Sequence, residues 1–387
     1  MIRKEYPMKY YKGMDLSTLI EVESCGGKFY DRAEAEDAIA ILKRYGMNAV
    51  RIRLFNDPYS EKGEPYGAGT NDLETALALA KRARKAGLDI LLDYHYSDFW
   101  ADPGKQFIPK AWKGYSVEEL EQAVYDYTRE TLLAFESKGL LPDMVQVGNE
   151  LTNGLLWPYG RKPEYDNIAR FVSAGIRAVR EISGQALLAG LRDEKIKVMI
   201  HLDNGGNNEM YRDWFDHYVE RGEDFDVIGL SYYPFWHGTF DMLEHNMKDM
   251  AERYHKELII AEVSMGFTME DYAAYERLAP SERKGMATRQ ELVDRIEFPM
   301  TKEGQRDFMK ELFRRLKQVP EHLARGFFYW EPAWIPVEGS GWATKSSLAY
   351  IEDPGPCGNE WANQALFDYE GHALPSLAAI RDYQPEI

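Results

Sequence analysis

Two glutamates in this chain each end a short apolar segment, one at position 150 and one at position 262. The first segment, 144–150, reads MVQVGNE, and the second, 258–262, reads LIIAE. If both are parallel strands, their carboxyl ends share one face of a sheet, where Glu150 and Glu262 can act on one bond as acid and nucleophile. Asn149 adds an amide that can hold a substrate hydroxyl. Either glutamate alone also fits an exposed loop, but the shared context predicts cleavage of a glycosidic bond.

The elements that must position these glutamates alternate along the chain. Strands are predicted at 11–15, 49–54, 89–94, 144–147, 197–201, 227–231, 258–261 and 326–330. Helices are predicted at 33–45, 73–86, 117–138, 168–182, 210–221, 242–255, 305–318 and 376–383. Parallel strands need helical crossovers, and eight strands close the sheet. The sequence therefore predicts the α/β class, as a single (β/α)8 TIM barrel forming one catalytic domain over residues 1–387.

Four loops on the predicted active face are long. They cover residues 55–72, 97–116, about 263–304 and 331–374. Loops after the strands of such a barrel build its active site, and long ones extend a groove into several subsites.

The segment VRIRL at 50–54 places two arginines on one face of its strand, because side chains alternate along a strand. Its apolar residues must face the helices, so Arg51 and Arg53 point into the barrel. Buried arginines need carboxylate partners, and Glu150 and Glu262 are the expected ones.

Charge and composition restrict the partner. The chain has 47 basic and 64 acidic residues in 387, a net charge of −17, which disfavours nucleic acid and anionic membranes. The 9 Trp and 25 Tyr exceed what a core alone requires, and aromatic rings stack on sugars. Most of these rings must still be core. A neutral carbohydrate is the expected partner.

No segment resembles a membrane span, and the first residues lack an apolar signal core. We therefore expect a cytoplasmic protein, or a secreted one if a leader has been removed. Cys25 and Cys357 are too few for a zinc or disulfide framework. Two free thiols are expected, with a single bridge as the alternative.

Several motifs carry a family resemblance. They are GMDLS at 13–17, VRIRLFNDP at 50–58, DYHYSDFWADPGKQ at 93–106, VQVGNE at 145–150, SYYPFW at 231–236, AEV at 261–263, FFYWEPAW at 327–334 and NQALFD at 363–368. These motifs resemble those of the arabinogalactan endo-β-1,4-galactanases, a family (family 53) of retaining glycoside hydrolases with eightfold barrels. The tryptophan-rich motifs at 95–103 and 329–334 are the specific part, whereas Asn-Glu after strand four indicates only the larger clan.

The resemblance implies that Glu150 is the acid/base and Glu262 the nucleophile, in agreement with their places at strand ends. It implies endo-acting cleavage of β-1,4-galactosidic bonds in (arabino)galactan or galacto-oligosaccharides by double displacement. Arg53 or Arg51 would keep Glu262 ionised. The substrate-binding candidates are Arg53, His95, Trp100, Asp102, Asn149, Tyr232, Tyr233, Trp330 and Trp334.

Several of these candidates have a structural alternative. His95 equally fits a hydrogen-bonded histidine at the barrel mouth, one of Tyr232 and Tyr233 is expected in the core, and Trp100 or Trp334 could merely pack loops. Polar strand-end residues outside the candidate set are expected to be hydrogen-bond or ion-pair partners: Asp15, Asp93, His201 and Glu331.

No cofactor is required by this chemistry, and scattered histidines disfavour a metallohydrolase. Bacterial members of the resembled family can hold a structural calcium in the last long loop, where Glu352, Asp353, Asn359 and Asp368 supply oxygen donors without a loop motif of defined spacing. A barrel that only binds glycan would be expected to lose one glutamate. The nearer alternative is another retaining β-1,4-endoglycanase of the clan, a mannanase or a cellulase-like enzyme, since only the groove differs.

Overall fold

Eight apolar segments form the parallel strands of a closed barrel in a computed structural model that describes residues 9–270 and 288–385. The strands are β1 (Tyr11–Asp15), β2 (Ala49–Leu54), β3 (Asp89–Tyr94), β4 (Met144–Val147), β5 (Lys197–Leu202), β6 (Val227–Tyr232), β7 (Glu257–Val263) and β8 (Ala324–Tyr329). Each pairs with its neighbours in chain order, and β8 closes on β1. The predicted (β/α)8 fold is confirmed. A single domain over 1–387 stays a prediction, because it includes residues outside the described ranges.

A helix follows each strand. The eight are α1 (Ala38–Arg44), α2 (Leu73–Lys85), α3 (Val117–Ser137), α4 (Tyr165–Leu188), α5 (Asn208–Val219), α6 (Phe240–Tyr254), α7 (Lys302–Leu316) and α8 (Pro375–Asp382). Short helices also occur at Leu19–Ser24, Gln290–Val293 and Lys345–Tyr350, with 3-10 turns at Lys110–Trp112, Leu151–Asn153, Pro320–His322 and Ala362–Gln364. Two small ribbons pair Phe29–Tyr30 with Ala35–Glu36 and Gly154–Leu155 with Gly160–Arg161. No helix in the described ranges is long and apolar enough to cross a membrane.

Helix α1 is shorter than the predicted range 33–45. Ala35 and Glu36 pair with the ribbon strand before them, so the helix begins only at Ala38. Asp37 caps this start by accepting a hydrogen bond from the Ala40 N–H. The other helices and all eight strands begin and end within a few residues of their predicted bounds, except that α4 continues to Leu188 instead of ending at 182.

The barrel interior is divided into two layers. An apolar cluster separate from the main core takes residues from all eight strands: Tyr11, Ala49, Leu91, Met144, Met199, Val227, Ile259, Ala261 and Phe328. Two residues further along β2 to β5 the same face turns polar, with Arg51, Asp93, Gln146 and His201 fully buried. The apolar layer therefore seals the bottom of the barrel and leaves the site at the strand ends.

Gly13 of β1 lies opposite Phe328 of β8, and the Phe328 ring occupies the space that a side chain at position 13 would need. A Cβ there would lie 2.2 Å from Phe328 Cδ1. We expect Gly13→Ala to lower the free energy of unfolding by about 1–3 kcal/mol through overpacking. Urea unfolding followed by circular dichroism measures this.

Gly184→Ala is the matched control. Gly184 lies inside α4, and a Cβ added to it would have nothing within 4 Å, so alanine there should stabilise by about 0.5–1 kcal/mol. Equal effects of the two substitutions would contradict the packing argument.

Candidate active site

Glu150 reaches the barrel mouth through a tight turn after β4. Gly148 has φ +82°, and a Cβ there would lie 2.7 Å from Leu151 Cδ2, so the turn requires glycine. Glu150 itself has φ 48° and ψ 57°, a left-handed conformation that costs a non-glycine residue of order 1 kcal/mol. The turn carries the Glu150 side chain into a cavity of about 360 Å³ at the carboxyl ends of the strands.

Glu262 lies within β7 and faces the same cavity. The register between β6 and β7 shifts after Leu230, which places Ser231 opposite Glu262. One carboxylate oxygen of Glu262 and one of Glu150 lie within 4.8 Å of each other. Retaining glycosidases hold their carboxyl groups about 5–5.5 Å apart, whereas inverting enzymes leave about 6.5–9.5 Å for a water molecule. The separation fits the retaining geometry.

The Arg51 guanidinium connects Glu262 to the strands around it. Its Nη2 lies 2.9 Å from Glu262 Oε1 and 2.9 Å from Asp93 Oδ2, and its Nη1 lies 2.8 Å from Asp15 Oδ2. It also donates to Asn149 Oδ1 at 2.9 Å. The prediction that Arg51 points inward and pairs with a carboxylate is confirmed for Glu262, but its other partners are Asp15 and Asp93 instead of the expected Glu150.

Arg53 also points inward, but its expected pairing with the two glutamates is wrong. It pairs with Asp15 at 3.2 Å and with Glu331 at 2.6 Å, which agrees with an ion-pair role for Glu331. Its guanidinium is fully buried and lies 4.5 Å from the centre of the Trp100 ring. Arg53 therefore packs against Trp100 of the cavity wall and is absent from the cavity lining.

Two adjacent tyrosines, the last residue of β6 and the residue after it, lie in different surroundings. Tyr233 donates from its hydroxyl to Glu262 Oε2 at 2.7 Å and lines the cavity. Tyr232 donates to the Gly238 carbonyl and packs in the core against Phe308. Tyr233 therefore contacts Glu262, the expected nucleophile. Tyr232 is the one of the two tyrosines that lies in the core, as the sequence analysis expected for one of them.

His95 is hydrogen-bonded on both ring nitrogens. Nε2 lies 3.1 Å from Asp93 Oδ2, and Nδ1 accepts the Ala101 N–H at 3.0 Å. His95 is 2% exposed and does not line the cavity, and its bond to Ala101 fixes the start of the 97–116 loop. Asn149 does line the cavity, donates to the Ala101 carbonyl at 2.9 Å, and is thereby fixed beside Glu150.

The two glutamates differ in the size of their pKa shifts. Burial raises the pKa of Glu150 well above its ordinary value, and the nearby Glu262 and Asp203 carboxylates raise it further. Burial also raises the pKa of Glu262, but the Arg51 charge and the Tyr233 hydrogen bond oppose that rise. Glu150 is therefore the carboxyl that holds a proton, and Glu262 is the one that ionises first.

Aromatic rings form the cavity walls. Trp100 and Trp330 lie 6.1 Å apart between ring centres, and both line the cavity. Trp334 does not line it, since the residue is 1% exposed and packs against Trp330, and its contact with substrate stays a prediction. The remaining tryptophans of the lining are Trp236, Trp342 and Trp361.

The sequence reasoning did not single out Trp342 and Trp361. Both belong to the 331–374 loop, whose length was the available signal. Asp102 lines the cavity and pairs with Lys105, and its contact with substrate stays a prediction. Asp203 also lines it, and its signal in the sequence was its place directly after β5.

Two of the residues expected to hold calcium, Asn359 and Asp368, have other contacts. Asp368 accepts hydrogen bonds from Lys302 and from the His372 N–H, and Asn359 accepts the Trp361 N–H while donating to the Trp334 carbonyl. Calcium in this loop stays a prediction. Among residues 9–270 and 288–385, the only group of three close acidic, histidine or cysteine donors is Glu150, His201 and Glu262.

Cys25 and Cys357 are free, exposed thiols.

A (β/α)8 barrel with two glutamates at this spacing is typical of the retaining glycoside hydrolases, the class to which the fold and the site assign this protein. The chain belongs to glycosyl hydrolase family 53, whose model matches residues 11–380. It is 35% identical to the endo-beta-1,4-galactanase of Bacillus subtilis (strain 168), over 96% of this chain and 85% of that protein. The Ignisphaera aggregans GH53 catalytic domain has a TM-score of 0.85 and 36% identity, covering 98% of this chain and 97% of that one. A structure from a study of two fungal beta-1,4-galactanases has a TM-score of 0.74 and 30% identity, covering 97% and 100%.

Replacing Arg51 by methionine should destabilise the fold by about 3–5 kcal/mol at neutral pH, because it leaves buried carboxylates without their cation. Such carboxylates bind protons more tightly in the folded chain than in the unfolded one, so acidification should stabilise the variant relative to the parent. Urea unfolding at pH 7 and pH 5 tests both statements.

Arg177→Met is the control, because Arg177 forms an exposed ion pair with Glu121 at 2.8 Å. We expect less than about 1 kcal/mol there, with little dependence on pH. A loss at Arg51 no larger than at Arg177 would refute the central role of Arg51.

Proposed function

We propose that this protein is an endo-acting, retaining β-1,4-galactanase that cleaves (arabino)galactan or galacto-oligosaccharides. The observation that carries the reaction type is the approach of Glu150 and Glu262 within 4.8 Å in one aromatic-walled cavity. The sugar and the linkage are supported by family membership and by the galactanases among the relatives.

In the first step Glu262 attacks the anomeric carbon while Glu150 donates its proton to the departing oxygen. The Arg51 guanidinium and the Tyr233 hydroxyl hold the attacking carboxylate in its charged state and in one orientation. The product of this step is a glycosyl ester on Glu262 and a free sugar hydroxyl.

In the second step Glu150 acts as a base. Formation of the ester removes the charge on Glu262, so the repulsion that raised the pKa of Glu150 disappears, and the ionised Glu150 accepts a proton from water. The water oxygen attacks the anomeric carbon and releases the sugar with its β configuration. Glu262 is regenerated as a carboxylate.

A neutral substrate suits the cavity. Its lining includes several carboxylates, Asp102, Glu150, Asp203, Glu262, Asp353 and Glu360, and Lys105 is already paired with Asp102. Tryptophan rings can stack on the apolar faces of the sugar units. The two proposed steps require no metal or cofactor.

Incubation of the purified protein with β-1,4-galactan, β-1,4-mannan and cellulose tests the proposal. We expect reducing ends to appear from galactan, with a rapid fall in polymer length that marks endo action. A β-1,3-linked galactan is the control for linkage. Release from mannan or cellulose with none from galactan would identify a different endoglycanase of the clan.

The roles of the two glutamates are separable by chemical rescue. We expect Glu150→Ala and Glu262→Ala each to lower turnover of galactan by several orders of magnitude. With an activated aryl galactobioside and added azide, Glu150→Ala should form the β-galactosyl azide and Glu262→Ala the α-galactosyl azide. NMR of the azide products gives the anomer.

The two anomers follow from geometry. Without the acid/base residue, azide attacks the glycosyl ester from the face that water would use, whereas without the nucleophile it takes the place of Glu262. The same anomer from both variants would refute the assignment of one role to each residue.

A further inference from the structure

We propose that Ser231 and His201 are positioning residues that fix which oxygen of Glu150 carries the catalytic proton. This inference rests on the proposed function, because it gives a further detail of the acid/base role of Glu150. In it, His201 donates from Nε2–H to Ser231, Ser231 donates to Glu150 Oε1, and the transferable proton sits on Oε2.

The three side chains form a buried line from β5 through β6 to the end of β4. Ser231 Oγ lies 2.7 Å from Glu150 Oε1 and 2.8 Å from His201 Nε2. Ser231 and His201 are both fully buried, so no solvent competes for these contacts. A hydroxyl has one hydrogen, so Ser231 donates to one of these neighbours and accepts from the other.

His201 carries a single ring hydrogen. Burial, and secondarily the Arg51 charge, lowers the pKa of His201 well below its ordinary value, so the ring is neutral. Nδ1 lies 3.1 Å from Gln146 Nε2, a donor, and 3.0 Å from Asn149 Oδ1, an acceptor. A protonated Nδ1 can donate to Asn149, and an unprotonated Nδ1 can accept from Gln146. The contacts of Nδ1 therefore do not determine the tautomer, and the contact of Nε2 with Ser231 does.

The double role of Glu150 selects the Nε2–H tautomer. While the glycosyl ester exists, Glu150 is ionised and needs a donor at Oε1, which Ser231 supplies only if it does not donate to His201. Nε2 must then be the donor to Ser231, with Nδ1 accepting from Gln146. The same arrangement serves protonated Glu150, since Oε1 still accepts from Ser231 and the proton occupies Oε2.

The opposite tautomer serves only one state. With the hydrogen on Nδ1, Ser231 could donate either to ionised Glu150 or to the unprotonated Nε2 of His201, but not to both. Donation to Glu150 would leave Nε2 and the serine oxygen as two acceptors facing each other without a hydrogen bond. Within the described residues, Oε2 of Glu150 has no hydrogen-bond partner, and Glu150 lines the cavity. A proton on Oε2 is thus free to meet the glycosidic oxygen.

Ser231→Ala tests the direction of the serine hydrogen bond. The alkaline limb of the kcat/KM profile reports ionisation of Glu150 in the free enzyme. Loss of a donor to the carboxylate should move that limb to higher pH, whereas loss of an acceptor for the Glu150 O–H would move it to lower pH and overturn the proposal. The charged and titratable groups around Glu150 and His201 stay the same in the variant; they are Arg51, His95, Asp102, Asp203, Tyr211, Tyr233, His237 and Glu262.

Comparing kcat/KM for substrates with different leaving groups distinguishes a loss of proton positioning from a folding defect. We expect Ser231→Ala to lower kcat/KM about ten- to a hundredfold on galactan, whose leaving group needs a proton. Dinitrophenyl galactobioside, whose leaving group needs none, should be little affected. Ser183→Ala is the control, since Ser183 is a buried serine of α4 that accepts the Ile196 N–H. An equal loss on both substrates would overturn the assignment.

The tautomer is measured without turnover. ¹⁵N NMR of the His201 ring in the full-length protein should show a protonated Nε2 and a bare Nδ1, and a protonated Nδ1 would refute the proposal. If the parent protein cleaves none of the galactosides, the proposed function fails, and the NMR result still decides the tautomer.

Discussion

The contact between the Arg51 guanidinium and three carboxylates is the interaction on which the rest of the site depends. It joins Asp15 of β1, Asp93 of β3 and Glu262 of β7 around one cation on β2. A buried charge is tolerated only where it is paired and hydrogen-bonded, so none of these groups can move independently. The closed barrel makes this possible, because strands distant in the chain present their ends to one centre.

Arg51 also makes the two glutamates chemically different. Glu262 contacts the cation directly and accepts from Tyr233, whereas Glu150 contacts a neutral hydroxyl and lies near other carboxylates. Two identical side chains within 4.8 Å of each other thereby differ in proton affinity, with the pKa of Glu150 raised well above its ordinary value and the rise at Glu262 opposed by Arg51. In the proposed reaction cycle the attacking water returns the proton to Glu150, since esterification of Glu262 allows the ionised Glu150 to act as a base.

Much of the scaffold was predictable because its signals are local. The alternation in VRIRL predicted the inward arginines, and the strand-terminal glutamates predicted the catalytic face. Partner choice was not predictable, because it depends on distances across the barrel. Arg53 pairs with Asp15 and Glu331 rather than with the expected glutamates, since β1 and the end of β8 lie nearer to it.

Side-chain direction in loops was equally beyond the sequence. Trp330 and Trp334 have similar surroundings in YWEPAW, yet one lines the cavity and the other is buried behind it. No local pattern distinguishes them, because their positions are set by packing among loops from different strands. Localisation stays a prediction for a different reason, since no feature of the site bears on it.

The division between barrel and loops places reaction and specificity on different parts of the chain. The ionised and hydrogen-bonded centre belongs to strands and to the residues directly after them, whereas Trp342 and Trp361 of the cavity wall come from the long loop after β8. Arg51 and the strand carboxylates Asp15, Asp93 and Glu262 cannot be replaced without leaving a buried charge unpaired, but a loop ring can be exchanged without altering any charge. Substrate preference can therefore diverge among barrels that share one mechanism, and assigning the sugar requires the family comparison in addition to the geometry of the two glutamates.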